Sequence, residues 1–421
     1  MGTFRKSLLL LLATLLILSS CQNAEEHLIL LIKKHYANYY VNNSSHKQLV
    51  LKKLENFLKD HSLTPENSEQ ISQILNEFND GHVLLKSTNP KTTNRLSDLT
   101  FFPGSFYVSS CEHSCSPGLM KGKYEIVSVG EQGFEKWLED NAKRVAASTP
   151  WGKKYRTSRL LVSNRAQDVL TLKLLNSSGT LFTTQLRFLD EEQPLEKCVE
   201  GRRLRDSIYY IKIKTLWCDR GNGDIEENYI RDWDLVTSEV KKTDKIILDL
   251  RENNGGDDRE VVYTLSSFMN HSFPLYLYQF LTLNRPGKIQ RFLHLLPYPF
   301  SLWAERGVDM ANFKTPPKNT FYDNQVSVLI SAGCFSSCEG LASAFKVQKR
   351  AKLFGGQTHG GAGNPLFFPI AHSSFSINLP TCLTWQADGQ LFEGKGVTPD
   401  YLVEDKLEKG DDFVLEEALK F

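Results

Sequence analysis

The segment from Val326 to Lys346, VSVLISAGCFSSCEGLASAFK, constrains the fold more than any other part of the chain. Its apolar run, Val326 to Ser331, reads as a buried strand. Leu341, Ala344, Phe345 and Gln348 then recur at helical spacing. Ser336 therefore sits on a turn between strand and helix, where its hydroxyl is held in place. The next backbone N–H groups and the helix dipole can support a developing oxyanion there. The same residues also spell a capping box, Ser336-x-x-Glu339, which many inert helices carry.

From residue 207 onward, strand and helix patterns alternate. Tyr209–Leu216 reads as a strand, and Tyr229, Trp233, Val236 and Val240 mark a helix. Ile246–Leu250 reads as a buried strand, Arg259–Phe268 as a helix, and the Ser336 unit follows. This is an α/β pattern. Ahead of it, His27–Tyr40, His46–Leu58 and Glu66–Phe78 carry apolar faces and predict a small helical bundle, which ends at Asn79-Asp80-Gly81. Residues 89 to 195 are β-rich. Val169–Leu175 and Thr180–Phe188 flank Asn176-Ser-Ser-Gly179, a hairpin signal. Cys198 to Arg205, charged and apolar-poor, reads as a linker. The expected boundaries are 1–20, 21–88, 89–198 and 199–421. The aromatic, proline-rich stretch 271–320 is either a lid or pocket wall, or a packed insertion.

The 421 residues carry 50 basic against 49 acidic side chains, a balance that argues against nucleic-acid binding. Met1 to Cys21 reads as a targeting segment. Arg5 and Lys6 precede the apolar Leu8–Leu18, which is too short to span a bilayer. Leu18-Ser-Ser-Cys21 resembles the bacterial lipobox, which implies cleavage before Cys21, diacylation of its thiol, and an exported protein tethered to the cell envelope. No other segment reads as membrane-spanning. Seven further cysteines leave at least one thiol without a partner within the chain. Cys111-Glu-His-Ser-Cys115 lacks a second ligand pair, so it reads as a loop disulfide or free thiols rather than a metal clip.

Two glycine runs add to the pattern. Gly255-Gly256 follows a buried strand, where glycine lets backbone approach a ligand and turn an N–H towards an anion. Gly355 to Gly363 has no phosphate-loop lysine. Five motifs then fall in order: Asp249-Leu-Arg-x-Asn-x-Gly-Gly256, Ser336-x-x-Glu339, Gly355-x-x-Thr-x-Gly360, Glu393-Gly-x-Gly-Val-x-Pro-Asp400 and Gly410-Asp-Asp-x-x-Leu-Glu-Glu-Ala418. Together they resemble the C-terminal processing peptidase and tricorn-core family of serine endopeptidases, across residues 207 to 421.

The resemblance implies a crotonase-like ββα spiral, preceded by the helical bundle and a PDZ-like module. It assigns Ser336 as nucleophile, with the Ser337 and Gly256 N–H groups as the oxyanion hole. Processing peptidases place a lysine base where this chain has Gly361. Tricorn-type members use a histidine in an Asp-Gly-His motif, which matches Asn79-Asp-Gly-His82, so His82 is the expected base and His359 the alternative. Glu393 matches the glutamate that orients the histidine, although a β-turn carboxylate reads the same way. Asp249, Arg251, Asn253 and Asp400 are read as architectural. Lys123 follows Gly122 where a PDZ-like module would carry aspartate, against the usual capture of a peptide C-terminus. No metal or organic cofactor is implied. The expected function is a lipid-anchored envelope endopeptidase acting on proteins or peptides. The alternative is a member of the family that binds a peptide or hydrophobic ligand with little or no turnover.

Overall fold

A computed structural model describes residues 23–40, 44–88, 96–97, 99–101, 104–110, 122–162, 169–189, 197–221, 223–271, 273, 275–280, 322–407 and 412–421. Cys21, Cys111, Cys115 and all of 281–321, hence most of the aromatic stretch 271–320, lie outside these residues. The chain divides into two compact units. One comprises Met1–Lys91, Tyr278–Glu305 and Gly363–Leu383, and the other Thr92–Leu277, Arg306–Ala362 and Thr384–Phe421.

In the first unit, helices Ala24–His35, Ser44–Asp60 and Ser68–Asn76 form where the apolar spacing placed them. The first is capped by Asn23, whose Oδ1 accepts the Glu26 N–H at 2.8 Å. Leu28, Ile32, Leu51, Leu54, Ile71 and Phe78 are buried together. Each such side chain contributes about 1.5–3 kcal/mol by leaving water. The helices do not close this core by themselves. Phe375, Ile377 and Leu379 fill it from a three-stranded antiparallel sheet of Leu84–Ser87, Phe375–Pro380 and Pro365–Pro369. Leu84 pairs with Asn378, so this unit is stitched together from distant parts of the sequence.

The second unit is built on a six-stranded sheet. Its spatial order is Tyr401–Leu402, Lys352–Gly355, Val326–Ile330, Lys245–Asp249, Ile208–Ile213 and Val199–Arg205. All pairings are parallel except the last. Both faces are covered, which explains the continuous apolar runs of the central strands. Ile246, Leu248, Val328 and Ile330 meet Trp233, Val261, Leu341 and Phe345 from helices Ile225–Thr237, Asp258–Ser266 and Ser337–Val347. The alternate residues Ile247 and Leu329 pack with Phe354, Val414 and Ala418, bringing in the C-terminal helix Phe413–Lys420.

Cys198 to Arg205 is not a linker. Val199–Arg205 is the antiparallel edge of the sheet, with Val199 buried and the charged side chains exposed or half-buried. Charge on an edge strand discourages pairing with other chains, so a polar run here is compatible with a strand.

The same unit contains an antiparallel module of Tyr107–Ser110, Lys123–Val129, Val169–Asn176 and Leu181–Leu189 with helix Phe134–Asn141. Its separate core includes Val108, Tyr124, Ile126, Phe134, Leu172 and Leu174. The hairpin turns at Asn176, whose Oδ1 accepts the Ser178 and Thr180 N–H groups at 3.1 and 2.8 Å. Lys123 is buried. Its Nζ donates to Asp405 and, at 2.8 Å, to the Lys406 carbonyl. Its charge thus ties the module to the segment that follows Tyr401–Leu402.

The residues read as architectural do structural work. Arg251 donates to Asp249 through Nε at 3.0 Å and Nη2 at 2.6 Å, and to Asp412 through Nη1 and Nη2, both at 2.7 Å. Burial alone would push the Asp249 carboxyl up. The Arg251 charge and hydrogen bonds outweigh burial and hold it below the usual carboxylate range. Asp400 accepts the Leu353 N–H at 2.8 Å and fixes the end of the neighbouring strand. Cys198 is bonded to Cys218 and Cys334 to Cys338, while Cys382 is buried.

Candidate active site

The strand Val326–Ile330 is buried throughout, and the chain turns through Ala332–Ser336 into helix Ser337–Val347. Ser336 has φ +59° and ψ −128°, a region that L residues avoid. Such a conformation costs on the order of 1–3 kcal/mol and persists only when its surroundings over-determine it. Here they do. The Phe335 N–H donates to Asn253 O at 3.0 Å, the Ser336 N–H to Gly361 O at 3.1 Å, and the Glu339 N–H to Ser336 O at 2.8 Å. The Cys334–Cys338 bridge brackets the turn covalently. A sharp strained turn from strand to helix presents a serine hydroxyl clear of the sheet.

Beneath this turn lies Glu339, fully buried. Its Oε1 accepts from Thr358 Oγ1 and from the Gly360 N–H at 2.8 Å. Its Oε2 accepts from the Gly361 N–H at 2.8 Å and the Ser336 N–H at 3.3 Å. Burial pushes this carboxyl up to about 7, against the opposing pull of those donors. Thr358 Oγ1 also accepts the Val397 N–H at 2.7 Å. One carboxylate therefore joins three of the recurring motifs. The capping-box pattern identified one of its bonds; the other three come from residues about 20 positions later and carry no local signature.

The glycine loop after Lys245–Asp249 closes the other side. The Asn253 side chain donates to Ile213 O at 3.1 Å and accepts the Gly255 N–H at 2.8 Å. Gly255, with φ +91°, lies so close that an added Cβ would stand 2.8 Å from Ser336 Cβ and 3.0 Å from Ser337 N. Leu216 grips the loop, its N–H donating to Gly255 O at 3.0 Å and its carbonyl accepting the Asp257 N–H at 2.8 Å. Gly256 O accepts from Ser337 Oγ at 2.9 Å. Among the described residues, no acceptor takes the N–H of Gly256 or of Ser337. Two uncommitted donors on adjoining segments beside a fixed serine are the groups an oxyanion hole needs.

The other expected site residues are located as follows. Gly361 has no room for a side chain, since a Cβ there would lie 2.4 Å from Phe335 Cε2 and 2.6 Å from Ser148 Oγ. His359 is buried, its Nδ1 donating to Ala332 O at 3.1 Å and its ring set edge-on to Phe335 at 4.6 Å between centroids. Glu393 is buried in the same unit, followed by Gly394, whose N–H donates to Gly360 O at 2.8 Å. His82 belongs to the first unit and is 5% exposed. Asp80 sets its backbone, accepting the His82 N–H at 3.0 Å through Oδ1. Its Oδ2 accepts from Tyr36 OH at 3.1 Å and Asn38 Nδ2 at 2.8 Å. The His82 carbonyl accepts from Asn378 Nδ2 at 2.9 Å. The aspartate of the Asp-Gly-His turn thus anchors the histidine's backbone.

The profile of peptidase family S41 matches residues 207–403, the stretch that carries the glycine loop, the Ser336 turn and the Glu339 hub. This segment is a peptidase family S41 domain. The match places the protein among serine-type peptidases, and the α/β class of the second unit is the one the alternating strand and helix patterns implied. The chain is 23% identical over 348 residues to a carboxy-terminal-processing protease of Bartonella bacilliformis, covering 76% of this chain and 71% of that protein. In fold it is similar to mature CPAF, solved in complex with lactacystin, with TM-score 0.68, 14% identity, and coverage of 95% and 97% of the two chains. It is also similar to a lipoprotein from Streptococcus agalactiae, with TM-score 0.51, 14% identity, and coverage of 95% and 96%.

Proposed function

We propose that this S41 peptidase is an endopeptidase acting through an acyl-enzyme on Ser336, with His82 as general base and Glu393 orienting the imidazole. The observation that carries the proposal is the strained Ser336 turn beside the uncommitted N–H groups of Gly256 and Ser337. Ser336 Oγ attacks the scissile carbonyl carbon while His82 takes the hydroxyl proton, and the two N–H groups hold the oxyanion. The C–N bond then breaks as the imidazolium returns that proton to the amine. Water, deprotonated by the same imidazole, hydrolyses the ester and restores Ser336. His82 as the base is supported by the Asn79-Asp-Gly-His82 motif and by glycine, not lysine, at position 361.

The substrate class is protein or peptide. The catalytic part is a crotonase-like spiral and the antiparallel module is PDZ-like, with Lys123 committed to Asp405 rather than to a peptide carboxylate. Cys21 is the lipidated N-terminus of an envelope-tethered protein, a proposal supported by Leu18-Ser-Ser-Cys21. Ser336→Ala and His82→Ala should each lower peptide turnover by about a thousandfold or more, with little further loss in the double variant. Parent activity should fall at acidic pH, where a protonated imidazole can no longer accept the serine proton. Full turnover in His82→Ala would transfer the base role to another residue.

A further inference from the structure

Trp217 plays no part in the chemistry above, yet it stands beside the loop that would hold the oxyanion. Its side chain is 51% exposed, whereas its neighbours Leu216 and Cys218 are fully buried. An indole offers a large, rigid apolar surface with a polar edge, which suits it to cover the side chain of a bound peptide.

The backbone that carries it is fixed on every side. Leu216 forms a parallel bridge with Gly256. The approach is so close that a Cβ on Gly256 would lie 2.0 Å from Leu216 O and 2.6 Å from Trp217 N. The Trp217 N–H donates to Thr215 Oγ1 at 3.0 Å. The next residue, Cys218, is bonded to Cys198, and its carbonyl accepts from Asn228 Nδ2 at 3.1 Å. Leu216 and Cys218 both point inward, so the alternation of an extended chain turns Trp217 outward.

We propose that Trp217 is a substrate-binding, specificity-determining residue. Its indole covers an apolar or aromatic side chain of the peptide within a few residues of the scissile bond. The proposal rests on Gly256 serving the oxyanion. Leu216 is the direct strand neighbour of Gly256, so a peptide whose carbonyl meets the Gly256 N–H has flanking residues within a few steps of about 3.3–3.6 Å of Trp217. Apolar contact of this kind discriminates between substrates by roughly tenfold to a few hundredfold. A rigid backbone under the indole keeps the entropic cost of binding low.

The test is a cleavage-site profile on a mixed peptide library read by mass spectrometry, for the parent, Trp217→Ala and Trp217→Phe. Kinetics follow on one apolar-flanked and one small-residue-flanked peptide drawn from the parent profile. The parent should favour an apolar residue at one position near the cleaved bond. Trp217→Ala should lose that preference and lower kcat/KM for the apolar-flanked peptide about tenfold or more, mainly through KM. Trp217→Phe should restore most of it, and a small fluorophosphonate should still label Ser336 in both variants. An unchanged profile in Trp217→Ala overturns the proposal, as does an equal loss on both peptides accompanied by loss of labelling. Absence of labelling and cleavage in the parent removes the site itself, and the proposal with it.

Discussion

Replacing Asn253 by alanine cuts the side-chain link between the glycine loop and the sheet. Asn253 is fully buried and its side chain makes two hydrogen bonds, to Ile213 O and from the Gly255 N–H. Asn253→Ala leaves that carbonyl and that N–H buried without partners. Each orphaned group costs about 1–3 kcal/mol, so the variant should lose about 2–6 kcal/mol of stability. The backbone bond from Phe335 to Asn253 survives, so the Ser336 turn stays formed while Gly255-Gly256 loosens. One oxyanion donor is worth about a hundredfold to a thousandfold in kcat, and a loosened one should cost about tenfold to a hundredfold. Asn253→Asp should not rescue. It keeps an acceptor for Gly255 but turns a buried charge towards Ile213 O. Urea unfolding followed by tryptophan fluorescence reads the stability, and steady-state hydrolysis of a peptide substrate reads kcat and KM. A variant with the parent's urea midpoint and kcat, or one changed only in KM, would refute this role for Asn253.

Two further outcomes follow from named groups. Arg251→Met strands Asp249 and Asp412 and should cost about 3–5 kcal/mol at neutral pH. Because Asp249 is held below its ordinary pKa, the stabilisation is present above about pH 4 and lost below it. The gap between parent and variant should therefore narrow as pH falls from 5 to 3, and a gap constant over that range would contradict the pairing. Radiolabelled palmitate should enter the parent in a bacterial host and not Cys21→Ala, and equal labelling of both would exclude the anchor.

Local patterns in the sequence were enough for much of this fold. The apolar run at Val326 and the spacing after Ser336 specify a strand and a helix, and Asn176–Gly179 specifies a hairpin, because each signal lies within one element. The register of five short motifs specified the family, although each motif alone is common. What escaped lies in contacts between distant residues. Val199–Arg205 looked like a linker because an edge strand shows its charged side chains to water. The first unit's helices looked self-contained because the strands completing their core come near residue 377. Glu339 looked like a helix cap, since nothing local shows that Thr358, Gly360 and Gly361 also converge on it. The pairings of Cys198 with Cys218 and of Cys334 with Cys338 were likewise undetermined until the backbone placed them.

The central claim is that Ser336 is the activated nucleophile. Fluorophosphonate labelling of the intact protein, with the adduct located by peptide mass spectrometry, tests it most directly. The expected result is a single adduct on Ser336, formed more slowly at pH 5 than at pH 8 and suppressed in His82→Ala. An adduct on another serine, or none in the folded parent, would contradict it.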